Sequence, residues 1–386
     1  MKKPRITEIQ HLRSLAFLAV VLQHTIGHYA YEPDVNLADG VALALLLLAV
    51  KFAVPLFVFI TGLVLFYNYE GPLRYIDFMA KRFKDIVVPY LVWSAVYYAV
   101  SWSWNKDVMT EIIEFLRLAV TGKASYHLWY VIMILQFYLF FPVLRRAVLA
   151  LQRKLDTRAR TYAALLVMAG LYVYLMTLVW PINLAAEQWN IPVITPMFTE
   201  YADRNGLYFI YYFLLGAVAG IALHSWKSWI KRYRVPINLF FIAMFCYFAY
   251  RVISGFQLEP VFQIHFNDLF LLRPVMAVYL IASIMVMYGL TMRLTERIDA
   301  GTNRWLNVIG RYSYGAYLVH ALMLKGAVPL ADWLLDGMNV TLRTMLAFVL
   351  CSAMSVVVTM LLSRTPIGKA VTGIGASRRT SRQSAA

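Results

Sequence analysis

Runs of apolar residues long enough to cross about 30 Å of hydrocarbon as helix recur ten times along this chain, at 12–30, 41–68, 86–103, 126–144, 161–180, 205–223, 236–253, 271–290, 312–330 and 341–362. No other feature restricts the fold as tightly. A backbone surrounded by lipid must satisfy its own hydrogen bonds, which only helices and closed barrels do. Pro55, Gly62, Gly216 and Gly220 fall inside these runs and are residue types that membrane helices accommodate or use at close contacts. Composition agrees: 61% of residues are hydrophobic and 15% charged, against about 25% charged in soluble domains. The expectation is an all-α integral membrane protein, a bundle of about ten transmembrane helices.

The net charge of +16 would suit nucleic acid if the cations formed one patch, so their placement decides. With the N-terminus assigned to the cytoplasm, 27 of the 36 Lys and Arg fall on inner ends and inner connections, and 13 of the 20 acidic residues fall outside. That positive-inside asymmetry predicts that both termini are cytoplasmic. Arg145, Arg146, Lys227, Lys231 and Arg234 then read as orientation signals and headgroup contacts, which leaves the bilayer as partner and nucleic acid excluded. The opening MKKPRITEIQHLR is basic like a signal peptide but leads to no small-x-small cleavage site, so it is expected to be retained in the first span. Residues 1–364 are therefore expected to form a single ten-span domain, and 365–386, with Ser377-Arg378-Arg379, a polar, basic, disordered cytoplasmic tail. Cys246 and Cys351 lie in apolar runs without CxxC spacing, so neither a disulfide framework nor a metal site is indicated.

Two basic side chains mark the first span. Arg13 and His24 are eleven residues apart, which at 100° per residue is three turns plus about 20°, so they share a helix face about 16 Å apart along the axis. A polar His at that depth points into the bundle or a wet cavity and is a functional candidate by default. A neutral imidazole there can accept a proton.

Arg-x10-His in a first span resembles the signature of the acyltransferase-3 family of membrane-bound O-acyltransferases, and further stretches match in the family's order. Pro55-Leu56-Phe57-Val58-Phe59-Ile60-Thr61-Gly62 is similar to its PLFFFLSG pattern, with Thr61 in place of Ser. Residues 78–90, FMAKRFKDIVVPY, resemble its basic inner loop, although Asp85 stands where many members carry a second arginine three positions after Arg82. His127-Leu128-Trp129-Tyr130 resembles its HLWF element. Tyr212-Phe213-Leu214-Leu215-Gly216 resembles its later glycine-containing span, and residues 310–320, GRYSYGAYLVH, its SxGIYLxH segment. Six stretches in register cover about 310 residues. The likeness is greatest to stand-alone members that modify cell-surface polysaccharides.

The resemblance implies a co-substrate, acyl-CoA and usually acetyl-CoA, with no tightly bound cofactor, and an acceptor hydroxyl on a cell-surface or lipid-linked glycan. Cations at the inner mouth, Arg13, Lys81, Arg82 and Lys84, would hold the phosphates of the donor. The pantetheine arm would run along the first span to His24, the general base for a sugar hydroxyl. Lys51, about ten residues into the second span, Trp129, Ser313 and His320, seven residues beyond Ser313 and nearly on its face, are candidate substrate contacts. The chain has no room for the extracytoplasmic esterase-like domain fused to some members, so it is expected to act alone or with separate partners such as polysaccharide-synthesis proteins. The expected location is the bacterial cytoplasmic membrane. Ten spans with intramembrane charges also describe an exporter or flippase of a lipid-linked glycan or small solute, which is the alternative. No paired pattern of interrupted helices supports it.

Overall fold

A computed structural model describes residues 6–101, 107–155 and 157–374. Among these residues the structure is helical, and the one β feature is an isolated bridge between Gln257 and Gln263. The run at 12–30 is α1 (Glu8–Tyr29), and 41–68 is α2 (Leu37–Val50) followed by α3 (Ala53–Asn68). The run at 86–103 is reached through α4 (Tyr75–Arg82) and a π-helical turn, Phe83–Val87, and is filled by α5 (Val88–Val100); residues 102 and 103 lie outside the described residues. An amphipathic α6 (Val108–Thr121) precedes α7 (Trp129–Lys154) and α8 (Arg158–Ala186). The short α9 (Ile194–Phe198) leads to α10 (Ile210–Ile221), α11 (Leu223–Arg232) and α12 (Arg234–Ile253). The chain closes with α13 (Pro274–Arg297), α14 (Ala300–Leu334), α15 (Val340–Leu362) and α16 (Gly368–Thr372).

Among the described residues six helical segments are long and apolar enough to cross a membrane: Leu37–Asn68 taken through its break, α7, α8 from Ala159, α12, α13 and α15. The α10–α11 pair, bent by 106°, adds a seventh if it counts as one span. This is a multi-pass membrane protein. The helices α1, α5 and α14 occupy three more of the expected runs without qualifying on their own. Of these, α5 has only 13 residues, whereas α1 carries Gln10, His11, Arg13, Gln23 and His24 among apolar side chains packed against protein, with Leu12, Ala16, Phe17 and Ile26 fully buried. A helix enclosed by other helices need not be apolar all round.

Two prolines shape the functional region. Pro55 has no N–H to offer the carbonyl of Lys51, and its ring crowds that carbonyl, so α2 ends and α3 begins across a turn at Lys51–Phe52. The carbonyls near the break are served by side chains from elsewhere: Gln23 Nε2 donates to Val50 O at 2.6 Å and the Tyr279 hydroxyl to Leu48 O at 3.0 Å. Pro89 likewise cannot donate to Asp85 O, and the chain widens into the π turn just before it, with Val88 N–H reaching Phe83 O.

Close backbone contact fixes the rest. A Cβ on Gly216 would collide with Phe59 O, and one on Gly62 with Phe213 O, so α3 and α10 touch main chain to main chain. Gly310 gives α14 the same approach to Gln10 O of α1. Along that second seam Ser14 Oγ donates to Leu306 O at 2.5 Å, His11 Nε2 lies 2.9 Å from Asn303 Oδ1, and the Tyr29 hydroxyl donates to Asp332 at 2.7 Å. The two helices run side by side in the same direction, which sets His24 near His320. Asp299 caps α14, and hydrogen bonds from the Thr302 side chain and backbone hold its carboxyl below the usual carboxylate range.

The tail expected from residue 365 divides. Gly368–Thr372 form α16, docked by Trp93 Nε1 donating to Val371 O at 2.9 Å and by Lys369 against Asp85 at 3.3 Å. Residues 375–386, with Ser377-Arg378-Arg379, lie outside the described residues.

The glycine seam gives a test of opposite signs. Gly170→Ala, where a Cβ meets nothing within 4 Å, should leave the apparent melting temperature unchanged or raise it, as Ala usually does in a helix. Gly216→Ala should lower it, in line with the roughly 1–3 kcal/mol of an overpacked contact. Thermal unfolding of both variants in one detergent checks this.

Candidate active site

His24 does not stand alone. Its ring stacks on that of His320 at 5.2 Å between centroids and 28° between planes. The ring of His127 lies 4.5 Å from His320 and 6.5 Å from His24, and Tyr126 closes the group 4.7 Å from His24. Three parts of the chain supply the trio: α1, the turn leading into α7, and α14. His127 and His320 are almost fully buried, at 1% and 0% exposure, while His24 is half-buried and so keeps a free edge.

The neighbours of each ring fix its role. His320 Nδ1 lies 2.5 Å from Tyr317 O, an acceptor only, so Nδ1 carries the proton and the lone pair sits on Nε2. His127 Nδ1 faces Ser125 Oγ at 3.1 Å, and its main-chain carbonyl accepts the Tyr317 hydroxyl. The Nε2 atoms of both rings are buried with no hydrogen-bond partner among the described residues. Each such atom costs about 1–3 kcal/mol when left unpaired, so two in one cluster make it the candidate site.

From this cluster aromatic rings continue toward Arg82. Tyr317 lies 5.3 Å from His127 and 5.7 Å from Tyr130, whose other neighbour is Phe57 at 5.7 Å. The Arg13 guanidinium and the Tyr138 hydroxyl both lie within electrostatic range of Tyr130. Tyr138, Phe78 and Tyr69 then enclose Arg82, whose Cζ sits 5.1, 5.0 and 5.9 Å from their ring centres. One Arg82 nitrogen reaches the Tyr69 hydroxyl at 3.3 Å, and its Nε is buried without a partner among the described residues. Arg13 is half-buried like His24, as expected for two residues on one face of α1. Lys51 sits at the α2–α3 break, within electrostatic range of His24, and no ion pair to it is present among the described residues.

Not every sequence candidate joins this line. Lys81 and Lys84 are exposed on α4 and the π turn, leaving Arg82 as the enclosed cation of that stretch. Ser313 lies two helical turns before His320 and donates to Gly310 O at 3.0 Å, so its hydroxyl is already used. Trp129 turns toward Phe209, 6.2 Å away, and into a separate cavity. The histidine of the trio that the sequence analysis did not single out is His127. Its one signal was its place at the head of the quoted HLWY stretch.

Residues 6–364 match the acyltransferase-3 family model, described as an acyltransferase domain. The chain belongs to the acyltransferase-3 family. No curated protein and no solved structure gives a match. The match spans every element of this acyltransferase that supplies the histidine trio, from α1 to α14, so the cluster is internal to the family domain.

Proposed function

We propose that this acyltransferase moves an acetyl group from cytoplasmic acetyl-CoA to a hydroxyl of a cell-surface or lipid-linked glycan in the bacterial cytoplasmic membrane. The observation that carries the reading is the His24–His127–His320 cluster, from which the rings of Tyr317, Tyr130 and Phe57 lead off, with Arg82 enclosed by a second set of rings around Tyr138. The charge asymmetry of the connections supports placing both termini, and the Arg82 end, in the cytoplasm. Arg82 and Arg13 would hold the donor's phosphates, with Lys81 and Lys84 at the approach, and the pantetheine arm would lie along the rings. His24 takes the acceptor proton as the hydroxyl oxygen attacks the thioester carbon. The C–S bond then breaks, and the proton passes to the departing CoA thiolate. The Lys51 ammonium stabilises the oxyanion between those two steps. His320 and His127 hold the His24 ring in place. Polysaccharide-synthesis proteins would deliver the acceptor.

The donor mouth is tested by binding alone. Arg82→Ala and Arg13→Ala should each weaken acetyl-CoA binding by about 1.5–3 kcal/mol, the range for hydrogen bonds to charged groups, and added salt should weaken it further. Calorimetry showing unchanged affinity in both variants removes them from the donor site.

A further inference from the structure

Two cavities lie side by side along the first half of α8. One, of 620 Å³, is bounded by α10, α11 and α13, and the other, of 360 Å³, by α7 and α10; among the described residues neither is lined by a charged side chain. Leu155, Thr161, Leu165, Val218 and Ala222 line both, so the two are branches of one space. The branches share the end beside the α7–α8 connection and the α10–α11 bend. From Ala159 to Leu171 no described side chain of α8 is fully buried, whereas Tyr172 and Met176, farther along, are. The Tyr172 hydroxyl donates to Tyr208 O at 2.7 Å and holds that later half on the bundle. In the first half the Tyr211 hydroxyl reaches out to Leu165 O at 3.2 Å, beside the open space. Protein interiors leave few voids larger than a water molecule, so a gap of this size between helices has room for a ligand.

We propose that this space holds one diacyl phospholipid as a resident component, with a tail in each branch and its ester and phosphate oxygens at the shared end. The proposal is independent of the acyl-transfer reading. Two apolar branches from one mouth match two chains on one glycerol. The shared end is polar without being charged: Thr157, Thr161 and Ser225 line it, and Thr157 caps α8 by accepting from Arg160 N at 3.2 Å, so the positive end of a 29-residue helix lies at the mouth. Trp226, 7% exposed, lines the larger branch with its Nε1 buried and without a partner among the described residues. An indole N–H only donates, so it calls for an acceptor oxygen, which a lipid ester supplies and a bare hydrocarbon does not. Trp229 and Tyr162, 6.3 Å apart, stand on the same wall and are ring types enriched where a bilayer meets water. The exposed Lys154, just before Leu155, and Lys231, just after the Trp226–Ile230 turn, complement a phosphate. Such a lipid would join α8 to α10, the helix that packs main chain to main chain on α3.

The test starts from the full chain extracted in detergent. Native mass spectrometry should find one phospholipid per chain that survives detergent exchange. Delipidation should lower the apparent melting temperature, and adding back phosphatidylglycerol or phosphatidylethanolamine should restore it saturably. The lysophospholipid with the same headgroup, which leaves one branch empty, should bind at least about tenfold more weakly. Trp226→Phe keeps a ring and loses the N–H, and should weaken retention about two- to tenfold, the range for one hydrogen bond. Leu165→Trp puts bulk where the branches meet and should abolish retention. The comparison of diacyl lipid with lysolipid needs no variant, so it decides the matter even if a substitution impairs folding. No retained lipid, equal binding of the two lipids, retention unchanged in both variants, or a polyprenyl phosphate or free fatty acid found in place of phospholipid would overturn the proposal.

Discussion

His24→Gln is expected to lower the rate of acyl transfer by about 10²–10⁴, the usual loss for a missing general base. Glutamine keeps a polar side chain of similar reach, so packing against Tyr126 and His320, 4.7 and 5.2 Å away, is largely preserved. Its amide is far too weakly basic to take the proton. Donor affinity should hardly change, because Arg13 and Arg82 are untouched, so the loss belongs in kcat. Rapid-quench measurement of a single turnover separates that step from donor binding and product release. A purified variant that melts normally and transfers at near the parental rate would make His24 a packing residue.

Lys51→Met is expected to lower kcat by about 10²–10³, the loss associated with one oxyanion donor. An ammonium inside a membrane bundle, with no ion pair among the described residues, is costly and makes Lys51 a candidate for a functional role. Methionine preserves much of the apolar stem and removes the charge. If the charge steadies the tetrahedral oxyanion, KM for acetyl-CoA should stay close to its parental value while kcat falls, and Lys51→Arg should recover part of the rate. Steady-state kinetics with equal kcat in parent and Lys51→Met would remove Lys51 from the chemistry. Binding energy shared by ground state and transition state would instead appear in KM.

Parts of this site were legible in the sequence and parts were not, for physical reasons. Helix periodicity alone placed Arg13 and His24 on one face, and the structure leaves both half-buried while Leu12, Ser14 and Thr25 beside them are fully enclosed. The same arithmetic put Ser313 on the face of His320 but could not show that its hydroxyl is turned back to Gly310 O. Arg82 looked equivalent to Lys81 and Lys84, since nothing local reveals that Tyr69, from the end of α3, and Tyr138, from α7, fold around it. His127 escaped because it lies in a turn, where there is no period to read, and its partners are distant in sequence. Short amphipathic helices were also hidden. In α11 only Trp226 and Ile230 face inward over ten residues, too few for an apolar run, and α16 has five residues in all. The π turn before Pro89 follows from the proline only once the preceding helix is known to continue into it.

The most direct measurement of the central claim reconstitutes the full chain in proteoliposomes, with radiolabelled acetyl-CoA on the side of the Lys- and Arg-rich connections and, on the other side, surface glycan extracted from cells lacking the protein. The account predicts that label appears on the glycan as base-labile ester, that CoA is released in equal amount, and that exchanging the two sides abolishes transfer. Glycan that crosses the bilayer unmodified while the thioester stays intact would contradict it and identify a transporter.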